Sequence, residues 1–497
     1  MTDHTPSWYS KPSDDDTSAS ASANDHTPDW YSPPSRPASL HPVPTTPPVP
    51  PAAIEEPFHA LPDRSRRRFL GYAAAGVAAA GGGIFAINRR SVDPTSQPMG
   101  APANTAGPSG DAMGSAQPSP QMATRPLIAS ADVAGRTLVV IELSGGNDGL
   151  ATLVPRNAGV LYDRRGNLHV TDEEMIDFNE EFGLHPNLAP LAGHGLAALV
   201  GVGSANEPDA SHFEMEKRWW AGKSSGMDLP GTGFLGRLCD QLVVDQPVTG
   251  VSLGTGPSPS MRSDKAVTVG LRDPEAAWFL QNDEDAWFRN LRVGMSAMAM
   301  ESSEADAMVA HARSGLADTL TFAESLEAVD TERIRDRYPN TELGTSLGTA
   351  AELIEQDSGL RVIHVSLAGF DTHSNQRGEH NNLMEQLGES VGTFLSDLND
   401  RGLAESTLTV TTSEFGRRVS NNQTGTDHGA AGMAFLAGPV VAGVHGEAPS
   451  LTRLDDDNLV ATVDFEQYYA TIAEKWFGIA SSEVLESGAP PIEGIIS

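Results

Sequence analysis

The sequence predicts a doubly wound, mainly parallel α/β sheet over residues 132–497, with a helical insertion at about 257–356. Three observations predict it. Short runs that are apolar almost throughout, as strands buried on both faces are, recur at Thr137–Leu143, Ala197–Val202, Val362–Leu367, Thr407–Thr412 and Met433–Ala437. Helical stretches separate them, notably His380–Asp400 and Asp464–Phe477. Polar clusters follow the strands, where open α/β sheets bind their ligands.

From the N-terminus, residues 1–62 are rich in Pro, Ser, Asp and Thr and predict a disordered tail. Asp3–Ser10 (DHTPSWYS) recurs as Asp25–Ser32 (DHTPDWYS). A repeated Trp-Tyr pair in a tail without a core reads either as a short binding motif or as neutral duplication. Residues 63–90 carry Ser65-Arg66-Arg67-Arg68-Phe69-Leu70 and then a small-residue apolar run from Gly71 to Ile87. That order is a twin-arginine export signal, and it predicts the twin-arginine translocase as a partner and a site of action in the periplasm or at the cell surface. Membrane contact is expected only through residues 69–87, because the run is near the lower limit for a span and its alanines and glycines insert weakly. Cleavage and retention as an anchor both stay open. Residues 91–131 form a Pro/Ser/Gly/Ala linker.

Composition narrows the function classes. The formal charge is −33, from 66 acids against 33 bases, and only five of those bases are lysines. Such a surface repels nucleic acid, since binding it needs clustered positive charge. It suits concentrated salt, which screens the self-repulsion. Cys239 is the single cysteine, so an internal disulfide, a Cys-rich zinc site and a CxxC redox motif are all excluded.

Within the domain, Leu143 leads into Ser144-Gly-Gly-Asn147-Asp148-Gly149, and Leu367 leads toward Gly369-Phe-Asp371-Thr-His373-Ser-Asn375-Gln376. Thr412 leads into Ser413-Glu414-Phe415-Gly-Arg417, while Thr426-Asp427-His428-Gly429 precedes Met433–Ala437. Singly, each cluster reads as turn chemistry. Together they supply carboxylates and imidazoles suited to a divalent metal, with Zn, Mn, Mg and Ca not distinguished. Residues 273–356 look mostly helical, with Trp278-Phe279 and Trp287-Phe288 as apolar anchors of a cap over the sheet. His364 reads as a core or edge histidine, His185, His194 and Cys239 show no partner, and His380, near the start of its helix, could approach the site, with no independent support.

The ordered segments LSGGNDG (143–149), ASHFEMEKRWWAG (210–222), GFDTHSNQ (369–376), SEFGRR (413–418) and TDHG (426–429) resemble the motifs of the domain-of-unknown-function family 1501. The resemblance spans about residues 136–495. The fold of that family is similar to that of the alkaline phosphatase and sulfatase clan, which implies a phosphatase-like sheet, a divalent-metal site and hydrolysis of phosphate or sulfate esters. Residue by residue, the resemblance makes His428 the last metal histidine. Asp371 becomes the preceding aspartate, accompanied by His373 or Asn375. Glu414 stands for an aspartate ligand, Phe415 takes the place of a histidine, and Ser144-Gly145 replaces an Asp-Gly, so Asp148 has to substitute. Asp427, beside His428, completes the candidate metal set.

A sulfatase nucleophile needs Cys or Ser in C/S-x-P-x-R, and the one match, Ser32–Arg36, lies in the tail. Ser211 is the better nucleophile position, at the start of the helical pattern Glu214–Ala221, where free N–H groups favour a small anionic ester. The competing reading makes Ser211 a cap that forms a capping box with Glu214. Arg417 is assigned to steady developing charge, with Arg418 beside it as another anion contact. Two classes remain: a metal-dependent ester hydrolase acting outside the cytoplasm, and a non-catalytic exported protein that keeps the fold and binds a ligand or partner.

Overall fold

The apolar run at Thr137–Ser144 becomes the middle strand of a nine-stranded sheet. This is seen in a computed structural model, which describes residues 135–226, 229–242, 248–254, 256–272, 286–300 and 307–497. The tail, the export signal, the linker and the Trp278-Phe279 anchor lie outside the described residues.

In chain order the strands are β1 (Thr137–Ser144), β2 (Leu153–Pro155), β3 (Ile176–Asp177), β4 (Phe182–Leu184), β5 (Ala197–Gly203) and β6 (Gly250–Leu253). They continue as β7 (Thr268–Leu271), β8 (Val362–Ala368), β9 (Thr407–Thr412), β10 (Ala431–Ala437), β11 (Gly443–His445) and β12 (Val463–Asp464). The main sheet runs β11-β5-β10-β9-β1-β8-β6-β7, with β12 also on β5; β2, β4 and β3 form a small separate sheet. Strands β9, β1, β8, β6 and β7 are mutually parallel. Strand β10 is antiparallel to both of its neighbours, β9 and β5. Its sequence had read like the parallel strands, because burial on both faces produces the same apolar run in either direction.

Side chains alternate across β1, so Leu138 and Val140 join one core and Val139, Ile141 and Leu143 the other. The first core is covered by α1 (His212–Ala221), α2 (Phe234–Gln241) and α7 (Phe465–Thr471). The second is covered by α5 (Glu342–Glu355) and α6 (Gln376–Asp400). Between β7 and α5 lie α3 (Ala286–Met300) and α4 (Ala307–Ser325). The helical insertion therefore begins later than residue 257. Thr268–Leu271 is a strand of the main sheet, and α5 packs into the core. Among the described residues, no helix is long and apolar enough to cross a membrane.

Candidate metal centre

The parallel strands deliver their exit loops to one edge of the sheet, and an antiparallel strand delivers its entry loop to that same edge. The turns after β8 and β9, the loop before β10 and the start of α1 after β5 therefore meet. Asp371 and His373 come from the first, Glu414 from the second, Asp427 and His428 from the third, and His212 from the fourth.

The centre of the cluster is one carboxylate oxygen. Asp371 Oδ1 lies 2.9 Å from His428 Nε2, 3.2 Å from His373 Nε2 and 3.4 Å from His212 Nε2. The two nitrogens of His373 and His428 are themselves 2.9 Å apart. Each ring is oriented by its other nitrogen. His212 Nδ1 is 3.0 Å from Glu414 Oε1, His373 Nδ1 is 3.2 Å from Asp427 Oδ1, and His428 Nδ1 is 2.7 Å from the Ala210 carbonyl. Those oxygens accept from an N–H, so with an ion at the common point each Nδ1 would carry the proton and each Nε2 would present its lone pair to the ion.

This is how metal-binding histidines are held by an outer layer of carboxylates and carbonyls. Ligand atoms placed tetrahedrally at about 2.0–2.1 Å from an ion lie about 3.3–3.4 Å apart, close to the separations observed. His212 Nε2 is buried without a hydrogen-bond partner, as a ligand nitrogen without its ion would be. Three imidazoles and one carboxylate suit zinc and similar borderline divalent ions better than Mg or Ca. The residues present therefore fit the group.

Electrostatics support this state. Burial pushes the Asp371 carboxyl up, but the His428 contact and the hydrogen bond that Arg417 donates outweigh it and bring its pKa to about 2; with no ion between them, His428 Nε2 and Asp371 Oδ1 share a proton that a bound ion would replace. Burial holds His428 below the ordinary imidazole value, against the pull of Asp371, so the ring is neutral near pH 7. Glu414 is raised by burial, although its own backbone, His212 and Gly145 donate to it.

Several sequence-predicted residues take other parts. Asp148 reaches the right edge but is not a ligand of this cluster. Its carboxylate is fully buried and engages Arg165 and Gln376, each at 2.5 Å, because a buried charge needs a partner. Glu414 and Asp427 stand behind His212 and His373 instead of facing the centre. Arg417 is buried, and its guanidinium donates to the carbonyls of Gly145, Gly146, Phe370 and Thr426 and, at 3.0 Å, to Asp371. It holds the loops and Asp371 together, where the sequence had suggested an anion contact. Arg418 pairs with Asp456.

Ser211 is the N-cap residue of α1, yet its hydroxyl accepts from no helical N–H and the capping box with Glu214 does not form. His373, not Asn375, accompanies Asp371; Asn375 precedes α6 in a left-handed conformation, φ 49°. Phe415 closes the inner side, its ring 4.5 Å from His428 and 5.0 Å from His212. His380 is buried away from the centre and its pKa falls to about 3, chiefly through burial. His364 pairs with Glu142 at 2.7 Å, and His185 with Asn381 at 2.9 Å.

His212 is the functional residue that sequence reasoning missed. It stood in a segment already singled out, next to Ser211 and four residues before Glu216. That spacing places an imidazole and a carboxylate on one helix face.

Comparison with known proteins places these features in context. Similar solved structures include the lipoteichoic acid synthase LtaP from Listeria monocytogenes, with 8% identity over 73% of this chain and 77% of that one and a TM-score of 0.34. The PsFucS1 sulfatase from Pseudoalteromonas sp. shows 12% identity over 70% of this chain and 68% of its own, at a TM-score of 0.33. The C-terminal periplasmic domain of EcEptC from Escherichia coli, in complex with Zn, shows 10% identity over 61% and 72%, at 0.29. No curated protein matches the sequence. The family described as "Protein of unknown function (DUF1501)" matches residues 136–476, the stretch that carries every residue of the centre, and the chain belongs to that family.

Proposed function

We propose that this protein is an exported, metal-dependent hydrolase of phosphate or sulfate esters. The observation that carries the proposal is the convergence of three oriented imidazole Nε2 atoms on Asp371 Oδ1. His212, His373, His428 and Asp371 hold the ion. Once bound, a divalent ion supplies Lewis acidity toward an ester oxygen and a lowered pKa for water. The other residues prepare this arrangement. Glu414, Asp427 and the Ala210 carbonyl fix the proton of each ring on Nδ1, Arg417 holds Asp371, and Phe415 excludes water from the inner side. Ser211 directly precedes His212, and its hydroxyl is not engaged in capping. It is the candidate nucleophile, beside the N-terminal N–H groups of a ten-residue helix.

Metal content of purified protein, together with a panel of phosphate and sulfate esters, tests the reading. His212→Ala and His428→Ala should each lose metal and activity, whereas Ser211→Ala should keep the metal and lose turnover. Wild-type protein that takes up no zinc, manganese or cobalt would sink the proposal. Full turnover by Ser211→Ala would remove the serine but leave the ion. One observation favours the second class, an exported binding protein: among the described residues the Ser211 hydroxyl donates to no side chain that could serve as its general base. Uptake of metal with no hydrolysis of any ester would establish that class.

A further inference from the structure

We propose that the site selects esters bearing a single negative charge, such as phosphodiesters or sulfate monoesters, over dianionic phosphate monoesters. The inference rests on the metal-centre reading above and names the substrate class for it.

The argument begins with where the positive charge goes. The segments that build the site carry five basic residues: Lys217 and Arg218 on α1, Arg377 on α6, and Arg417 and Arg418 after β9. All five are ion-paired: Lys217 with Glu214, Arg218 with Glu207, Arg377 with Glu174, Arg417 with Asp371 and Arg418 with Asp456. Arg417 is also saturated by four backbone carbonyls. Between residues 135 and 497, the stretches outside the described residues contain neither Lys nor Arg. They can bring no further side-chain cation to the centre.

The negative side is heavier. Asp371, Glu414 and Asp427 surround the ion position, so a divalent ion and Arg417 together only neutralise them. A further carboxylate, Glu216, lies with its oxygen within 4.8 Å of ligand atoms of His212 and Glu414. Enzymes that hold a dianionic phosphoryl group do so with several cations around its oxygens. Among the described residues, the side-chain cations on the segments that build the site are all ion-paired, so the ion would carry most of the positive charge open to a substrate. One extra negative charge on a ligand meets an uncompensated acidic surround, and at an effective dielectric of about 20 that costs roughly tenfold or more in affinity.

The test measures binding, so that it does not depend on turnover. Full-length protein loaded with Co(II) is titrated at pH 8 with dimethyl phosphate, methyl sulfate and methyl phosphate, reading the visible spectrum of the ion. The monoanions should bind at least about tenfold tighter than methyl phosphate. Glu216→Gln, which removes a carboxylate beside His212 and Glu414, should narrow the ratio at an unchanged cobalt content. Methyl phosphate binding as tightly as the monoanions, or no binding by any of the three, overturns the inference. Selective binding without hydrolysis of bis(p-nitrophenyl) phosphate or p-nitrophenyl sulfate leaves the charge selection standing and removes the hydrolase reading instead. A preference for dimethyl phosphate over methyl sulfate identifies the phosphodiester branch, and the reverse the sulfate branch.

Discussion

At the residue scale, the centre depends on which nitrogen of each histidine carries its proton, and an oxygen behind the ring decides that. Glu414 is the clearest case, since it accepts both from Gly145 N at 2.8 Å and from His212 Nδ1 at 3.0 Å while 4% exposed. Glu414→Gln keeps the shape but lets the amide present an N–H to the ring, which frees the other tautomer. We expect it to lower zinc affinity about 10–100-fold, the usual effect of disturbing a partner of a metal-binding histidine. Competition against a chelator of known affinity checks this, and unchanged affinity would remove the orienting part of Glu414. Gly145 shows the same tightness in the backbone. Its φ is +115°, and a Cβ there would lie 2.4 Å from Asp371 N. That is why Gly-Gly stands after β1, a point at which the sequence offered only turn chemistry.

At the element scale, the loops are held by a buried polar strut. Asp148 binds Arg165, which donates to the carbonyls of Val419 and Arg418; Asp148 also binds Gln376, whose Oε1 accepts from Thr426 Oγ1 at 2.7 Å. The strut thus ties the exit loop of β1 and the first turn of α6 to both ends of the loop bearing Asp427 and His428. Burial raises the Asp148 pKa, but Arg165, then His380, outweigh it, and the net shift is downward. The sign follows. A folded-state value below the unfolded one contributes stability that is present above the ordinary carboxylate range, near pH 4, and is lost as pH falls below it. Asp148→Asn should remove that pH-dependent part and flatten the acid limb of stability between neutral pH and pH 3. It should also destabilise the neutral protein by about 3–5 kcal/mol, because Arg165 is left buried without its carboxylate. Denaturant unfolding at several pH values measures both, and an acid limb of unchanged slope would show that Asp148 does not titrate with folding.

At the scale of the whole molecule, the net charge and the proposed export each carry a prediction. A formal charge of −33 predicts that the melting temperature rises from dilute buffer to molar salt as carboxylate repulsion is screened. A flat melting temperature across that range would refute the salt-adapted reading. Export is tested by replacing Arg66, Arg67 and Arg68 with Lys, which should leave the protein in the cytoplasm; normal levels of the triple variant outside would refute the twin-arginine reading.

What the sequence determined by itself is the set of elements and the edge where chemistry collects. Strands β1, β5, β8, β9 and β10 are legible because burial on both faces demands unbroken apolar runs, and helices α6 and α7 because their apolar faces repeat at helical spacing. The strands β6 (GVSL) and β7 (TVGL) were not, since four residues that include a glycine carry too little pattern. Asp371 and His428 were legible because several polar clusters collect at the strand ends and the ordered motifs that carry these two resemble those of the family. The tertiary structure alone decided which of the remaining polar residues face the centre of the cluster. Asp148, Arg417, Glu414 and Asp427 are chemically fit to touch a ligand, and each is instead held one layer back. Arg165, four carbonyls, His212 and His373 reach them from segments distant in sequence. Hydrogen-bond partners across such separations leave no local pattern. His212 gains its role from a bundle of contacts that exists only after α1 has docked beside β9 and the loop before β10.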